Sequence, residues 1–181
     1  IREHGMEQIV RDTRIATLYE GTTGIQALDL LGRKVLLLTK GRAVTDFTGT
    51  IYKFCARETR SRAMLPFVWS LSKYAAQWNY LTVRLMLGAT KDRDLVSASA
   101  YDFLMFSGYV TMAYFWALMA KTAHAQLGRA GAPETPDFYR AKIHTARFYF
   151  HRLLPRTRGL VPSMLSGAGN LMDLEDASFS F

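Results

Sequence analysis

The residues best suited to chemistry stand early in the chain, in the run Tyr19-Glu20-Gly21-Thr22-Thr23-Gly24. Glu20 is a lone carboxylate on a turn between a charged amphipathic segment and an apolar one, and small and hydroxylated residues follow it. A carboxylate so placed suits a general base that touches a substrate and a cofactor at once. Because the turn comes so soon after Ile1, residues preceding this chain are expected to complete the site.

The elements that must hold this turn read as helices. Met6, Ile9 and Val10 mark the expected buried side of a first helix, with Glu3, Glu7, Arg11, Asp12 and Arg14 outside. A second helix starts at Thr22 or Thr23, either of which can cap the free backbone donors. Leu28, Leu31, Val35 and Leu38 continue it at helical spacing, and Asp29 with Arg33 makes an i,i+4 pair. After Lys40-Gly41-Arg42, a third helix is expected on Val44, Phe47, Ile51 and Phe54, weakened by Thr45, Thr48 and Thr50.

From Met64, the residues Phe67, Leu71, Tyr74, Trp78, Leu81 and Leu85 form a heptad-like seam, with Pro66 in its first turn. Gly88 and Lys91-Asp92-Arg93-Asp94 mark a turn, and the next helix is expected from Leu95 to Leu127. Gly128 to Pro136 reads as a loop, and Asp137 to Leu154 as the last long helix. Pro155 and Pro162 break regularity, and the tail from Ser163 is expected to be loosely ordered. Strand signals are nearly absent, so the expected fold class is an all-α helical bundle.

Phe103 to Ala120 carries no charge and is long enough to cross a membrane. Ser107, Gly108, Thr111 and two tyrosines interrupt it, and Asp102 and Lys121 bracket it. A central helix, apolar all round because other helices surround it, is the preferred reading, with no transmembrane segment.

The chain has 181 residues, 49% of them hydrophobic, which is ample for a packed core. Its one cysteine, Cys55, excludes an internal disulfide framework and fits a reducing, cytoplasmic setting in which the thiol is simply packed. The net charge of +8 is spread widely, without the motifs that would point to nucleic acid. His4, His124, His144 and His151 form no recognised ligand motif, so no metal is predicted. Ser163 and Ser166 lack a nucleophile-elbow pattern. Arg140, His144, Arg147 and His151 share one helix face; the functional reading is contact with coenzyme phosphates or an anionic membrane surface, and the preferred reading is a solvated basic face.

Residues 1–38 resemble the end of the catalytic region of acyl-CoA dehydrogenases. There, a segment of the form Glu-x3-Glu-Lys-x2-Arg-Asp-x-Lys/Arg-Ile leads into Tyr-Glu-Gly-Thr. Glu3, Glu7, Arg11, Asp12, Arg14 and Ile15 match it, followed by Tyr19, Glu20, Gly21 and Thr22. Gln8 departs from the usual Lys or Arg, and Gly24 from the Gln of many members, whereas Ile25 and Gln26 fit. The run from Tyr19 to Lys34 is most similar to the large bacterial forms, including those acting on 3-methylmercaptopropionyl-CoA.

The resemblance implies α,β-dehydrogenation of an acyl-CoA thioester, with Glu20 as the α-proton base and FAD as hydride acceptor. Gly21 would lie against the substrate thioester, and Thr22, Thr23 and Gly24 would neighbour the flavin. Arg11, Asp12 and Arg14 are expected to form an ion-pair lattice that positions the turn. Residues 1–42 would end the catalytic helical domain, and 43–181 would form an additional C-terminal helical domain. A homodimer and a flavoprotein electron acceptor are implied as partners, and this chain alone is expected to be inactive and flavin-free. The competing readings are a non-enzymatic helical interaction or oligomerisation module and a basic membrane-surface module.

Overall fold

The computed structural model describes residues 5–15 and 22–179, and no strand occurs among them. Helix α1 spans Met6–Arg14. Helix α2, Thr23–Leu28, passes directly into a π-helical stretch, Asp29–Leu38. Then come α3 (Arg42–Glu58), α4 (Leu65–Ala89) and α5 (Asp94–Gln126). Helix α6 (Pro136–Phe148) is extended by a π turn, Tyr149–Leu153, and a 3-10 turn, Leu154–Arg156. Helices α7 (Thr157–Leu165) and α8 (Gly169–Met172) and a 3-10 turn (Asp176–Phe179) end the described chain.

Helix α5 organises the bundle: α2, the π stretch, α4, α6 and α7 all pack on it. Its Phe103, Phe106, Val110, Ala113, Ala117 and Ala120 are fully buried. The three alanines keep that side narrow, so neighbouring helices approach closely. Buried hydroxyls on this helix are satisfied by backbone carbonyls, Ser107 Oγ donating to Phe103 O at 2.6 Å and Ser99 Oγ to Met164 O at 3.2 Å. Helix α5 is the one helix among the described residues long and apolar enough to cross a membrane by length and composition. Its buried face makes it a core helix, but it is not surrounded. Tyr101, Met112, Phe115 and Met119 face outward, because no described element covers that side.

The α4 seam is as expected: Phe67, Leu71, Tyr74, Trp78, Leu81 and Leu85 are all buried. Pro66 sits in the first turn, where its missing N–H costs nothing. Against α4 lies α3, with Val44, Ile51 and Phe54 buried and Phe47 edge-on to Trp78 and Tyr114. The threonines that weaken α3 on propensity find partners. Thr45 Oγ1 donates to Arg42 O and Thr50 Oγ1 to Asp46 O, while buried Thr48 accepts from Asn79 Nδ2 at 2.9 Å. Cys55 is buried in this layer, and burial pushes its thiol pKa up, so it is packed and unreactive.

Met6, Ile9 and Val10 are not buried but 48%, 54% and 61% exposed, because α1 packs on no described element. In the second helix only Leu31 and Val35 of the expected stripe are buried, with Ala27 joining them, while Leu28 and Leu38 face outward. The start of the tail is not loose: α7 continues to Leu165 with Pro162 inside it, and Met164 is fully buried beneath α5, whereas Leu171, Met172 and Leu174 further on are exposed. A buried methionine and a bonded carbonyl outweigh the one backbone bond that Pro162 removes.

Candidate functional site

Tyr19, Glu20 and Gly21 lie outside the described residues. What the structure defines is the pair of helices on either side of them. On the incoming side, Arg11 pairs with Glu7 at 3.3 Å and donates to Gln8 Oε1 at 2.7 Å. Gln8 Nε2 in turn donates to Asp12 Oδ1 at 2.7 Å. Of the expected lattice, Arg11 and Asp12 are linked through Gln8, the position that departs from the family pattern. An amide serves there because it donates to a carboxylate and accepts from a guanidinium at once. All four side chains are exposed, so the lattice orders the helix surface more than it stabilises the fold.

On the outgoing side, Thr22 is the N-cap of α2, with extended ψ of 151°. Its Oγ1 accepts from Ile25 N at 3.4 Å and its carbonyl from Gln26 N at 3.1 Å. Thr23 and Gly24 form the first helical turn, where backbone N–H groups have no intrahelical partner. All three residues are exposed. A Cβ built on Gly24 would meet nothing within 4 Å, so packing does not impose glycine there. The donors of this helix start are thus open to a polar group approaching from outside the chain.

The start is anchored from behind. Ala27, Leu31 and Val35 press onto the core, and Gly32 approaches α5 so closely that a Cβ would stand 3.3 Å from Val96 Cγ1. Asp29 takes both Arg33 and Lys34, the latter at 3.0 Å, and these hydrogen bonds hold its carboxyl down at about 2. At the far end Thr39 Oγ1 donates to Lys34 O, and Gly41, at φ 83°, closes the helix by donating from its N to Val35 O at 2.8 Å.

Elsewhere, Arg140, His144 and Arg147 of the expected basic face line a cavity of about 260 Å³ between α5 and α6, but His151 does not. His124 of α5 completes it, over a floor of Leu127 and Ile143. Burial, then the charge of Arg147, lowers the pKa of His124. Sequence spacing cannot relate His124 to α6, since a loop of unmarked geometry intervenes.

The described residues thus define an all-α bundle with its own core, preceded by a capped helix start whose donors face outward. Residues 47–175 match the family model described as acetyl-CoA dehydrogenase C-terminal like. The chain belongs to that family, a C-terminal helical region of acyl-CoA dehydrogenases. It is 34% identical to a 3-methylmercaptopropionyl-CoA dehydrogenase of Ruegeria pomeroyi, over 85% of this chain and 26% of that protein. It is 29% identical to the broad-specificity linear acyl-CoA dehydrogenase FadE5 of Mycobacterium tuberculosis, over 99% of this chain and 30% of that protein. A butyryl-CoA dehydrogenase of Syntrophomonas wolfei is 27% identical over 99% of this chain and 29% of its own length. The chain therefore spans less than a third of the length of these curated relatives.

Proposed function

We propose that this chain is the C-terminal part of an FAD-dependent acyl-CoA dehydrogenase that oxidises the α,β bond of an acyl-CoA thioester, with Glu20 as the base. The supporting observation is the join between two features. Thr22, the last residue of the Tyr-Glu-Gly-Thr sequence, caps a helix start, and that helix leads into a bundle that belongs to the C-terminal family. The names of the relatives point to the same chemistry.

Glu20 takes the α-proton onto its carboxylate, and the α,β double bond forms as the β-hydride leaves. The proton is weakly acidic even beside a thioester carbonyl, so a dry site that raises the basicity of Glu20 favours the step. FAD, when bound, supplies the acceptor for that hydride. Gly21 lets the backbone come close to the thioester. Thr22, Thr23 and Gly24 offer their helix start to a polar part of the flavin. The exposed donors and the open space at Gly24 fit that role.

Residues 1–42 would then end the catalytic helical domain and 43–181 form the added one, a division supported by a family match that begins at residue 47. The unburied apolar faces of α1 and of the π stretch suit this reading. Met6, Ile9, Val10, Leu37 and Leu38 would be covered by the body of the dehydrogenase. A homodimer, a flavoprotein electron acceptor and a cytoplasmic setting complete the proposal. The test is Glu20→Gln in the full-length flavoprotein, read as flavin bleaching by acyl-CoA. A loss of about 10²–10⁴-fold is expected, and reduction at the parent rate overturns the assignment.

A further inference from the structure

The cavity between α5 and α6 has chemically one-sided walls. Arg140, His144 and Arg147 approach from α6 and His124 from α5, around about 260 Å³. The acidic counterweight is small. Asp137, at the start of α6, pairs with Arg140 at 2.7 Å, and Arg147 has no carboxylate partner among the described residues. Nε2 of His124 is enclosed without a hydrogen-bond partner among the described residues. The apolar floor of Leu127 and Ile143 limits solvent on one side, which strengthens any charge pairing above it.

We propose that this cavity is a binding site for a phosphomonoester group, held by Arg147 and Arg140 with His144 and His124 beside them. A guanidinium meets two phosphate oxygens with two parallel N–H donors, and an unpaired arginine in a concave wall is poised for such a contact. The volume lies below the roughly 300–1,000 Å³ of sites that enclose a drug-sized ligand, so it suits a head group rather than a whole cofactor. Burial and the charge of Arg147 favour the neutral form of His124, which still has one N–H to donate. The phosphate group can come from a soluble metabolite or from a lipid head group, and the chemistry of recognition is the same for both.

The experiment uses the whole chain and two probes at constant ionic strength. Inorganic phosphate is titrated at pH 7 while the ring resonances of His124 and His144 are followed. A saturable shift in the millimolar range is expected, and Arg147→Gln weakens it by about tenfold or more. Arg158→Gln, at an exposed position of α7 outside the cavity, leaves it unchanged. In the second arm the chain is sedimented with phosphatidic acid vesicles and with phosphatidylcholine vesicles. Binding to the former alone, lost in Arg147→Gln and competed by phosphate, assigns the lipid source; phosphate saturation without vesicle binding assigns the soluble one. A shift that never saturates, or one that Arg147→Gln and the parent share equally, overturns the proposal. Neither probe involves Glu20 or a flavin, so this result is independent of the dehydrogenase reading.

Discussion

Replacing Leu31 with alanine tests how the helix start at Thr22 is held. Leu31 is fully buried in the π stretch, whereas Leu37, six residues on, is 71% exposed. Both changes leave a residue of higher helix propensity, so propensity cannot explain a loss. Truncating a fully buried leucine costs about 2–5 kcal/mol, the removed methyl groups and the cavity both contributing. An exposed truncation stays within about 0.5 kcal/mol. With a urea slope of about 2–3 kcal/mol/M for a chain of this size, a loss of about 3 kcal/mol lowers the midpoint by about 1–1.5 M. The assay is urea unfolding of this chain, followed by far-ultraviolet circular dichroism and by tryptophan fluorescence, since Trp78 is buried in the same core. The reasoning fails if Leu31→Ala moves the midpoint no further than Leu37→Ala. In the full-length protein Leu37→Ala is expected to cost more than in this chain, because the proposed dehydrogenase body covers that face.

Two further outcomes follow from the packing. Burial pushes the Tyr149 phenol up from 10.0 to about 12, and its hydroxyl donates to Tyr109 O at 2.9 Å. The fold therefore favours the neutral phenol; that stability is fully present below about pH 10 and is lost as pH rises towards about 12. Tyr149→Phe should remove this slope, measured as the midpoint of urea unfolding across the same pH range, and should cost about 1 kcal/mol at pH 7. Asn79→Ala removes the amide that bridges Thr48 and α4, and a loss of about 1–2 kcal/mol is expected in thermal unfolding, whereas Thr45→Ala, with an exposed hydroxyl bonded only within α3, should change little.

Much of the bundle is legible in the sequence where one helix buries a single continuous face. The α4 seam is an example, because every residue from Phe67 to Leu85 in its alternating four-and-three pattern meets the core. The second helix shows where such reading stops. Ala27, Leu31 and Val35 lie four apart, and on an α-helix that spacing drifts by about 40° at each step. The π turns from Asp29 onward hold about one more residue each and bring Leu31 and Val35 into the core beside Ala27, a register set by packing that leaves Leu28 and Leu38 outside. α1 is a related case: periodicity shows that Met6, Ile9 and Val10 form an apolar face, but not whether this chain contains the surface that covers it. At the site, a cap at Thr22 or Thr23 and the pairing of Asp29 with Arg33 are legible as local spacing; the structure selects Thr22 and forms the pair. The meeting of His124 with Arg147 is not legible, because it depends on how α6 returns along α5.

The claim that Glu20 removes the α-proton is tested most directly by isotope exchange. The full-length flavoprotein is incubated in deuterium oxide with an acyl-CoA analogue that has no transferable β-hydrogen, and deuterium at the α-carbon is measured. The account predicts exchange in the parent and a loss of about 10²–10⁴-fold in Glu20→Gln, with the analogue still bound. Exchange at the parent rate in Glu20→Gln would contradict it, and the base would then have to be sought elsewhere.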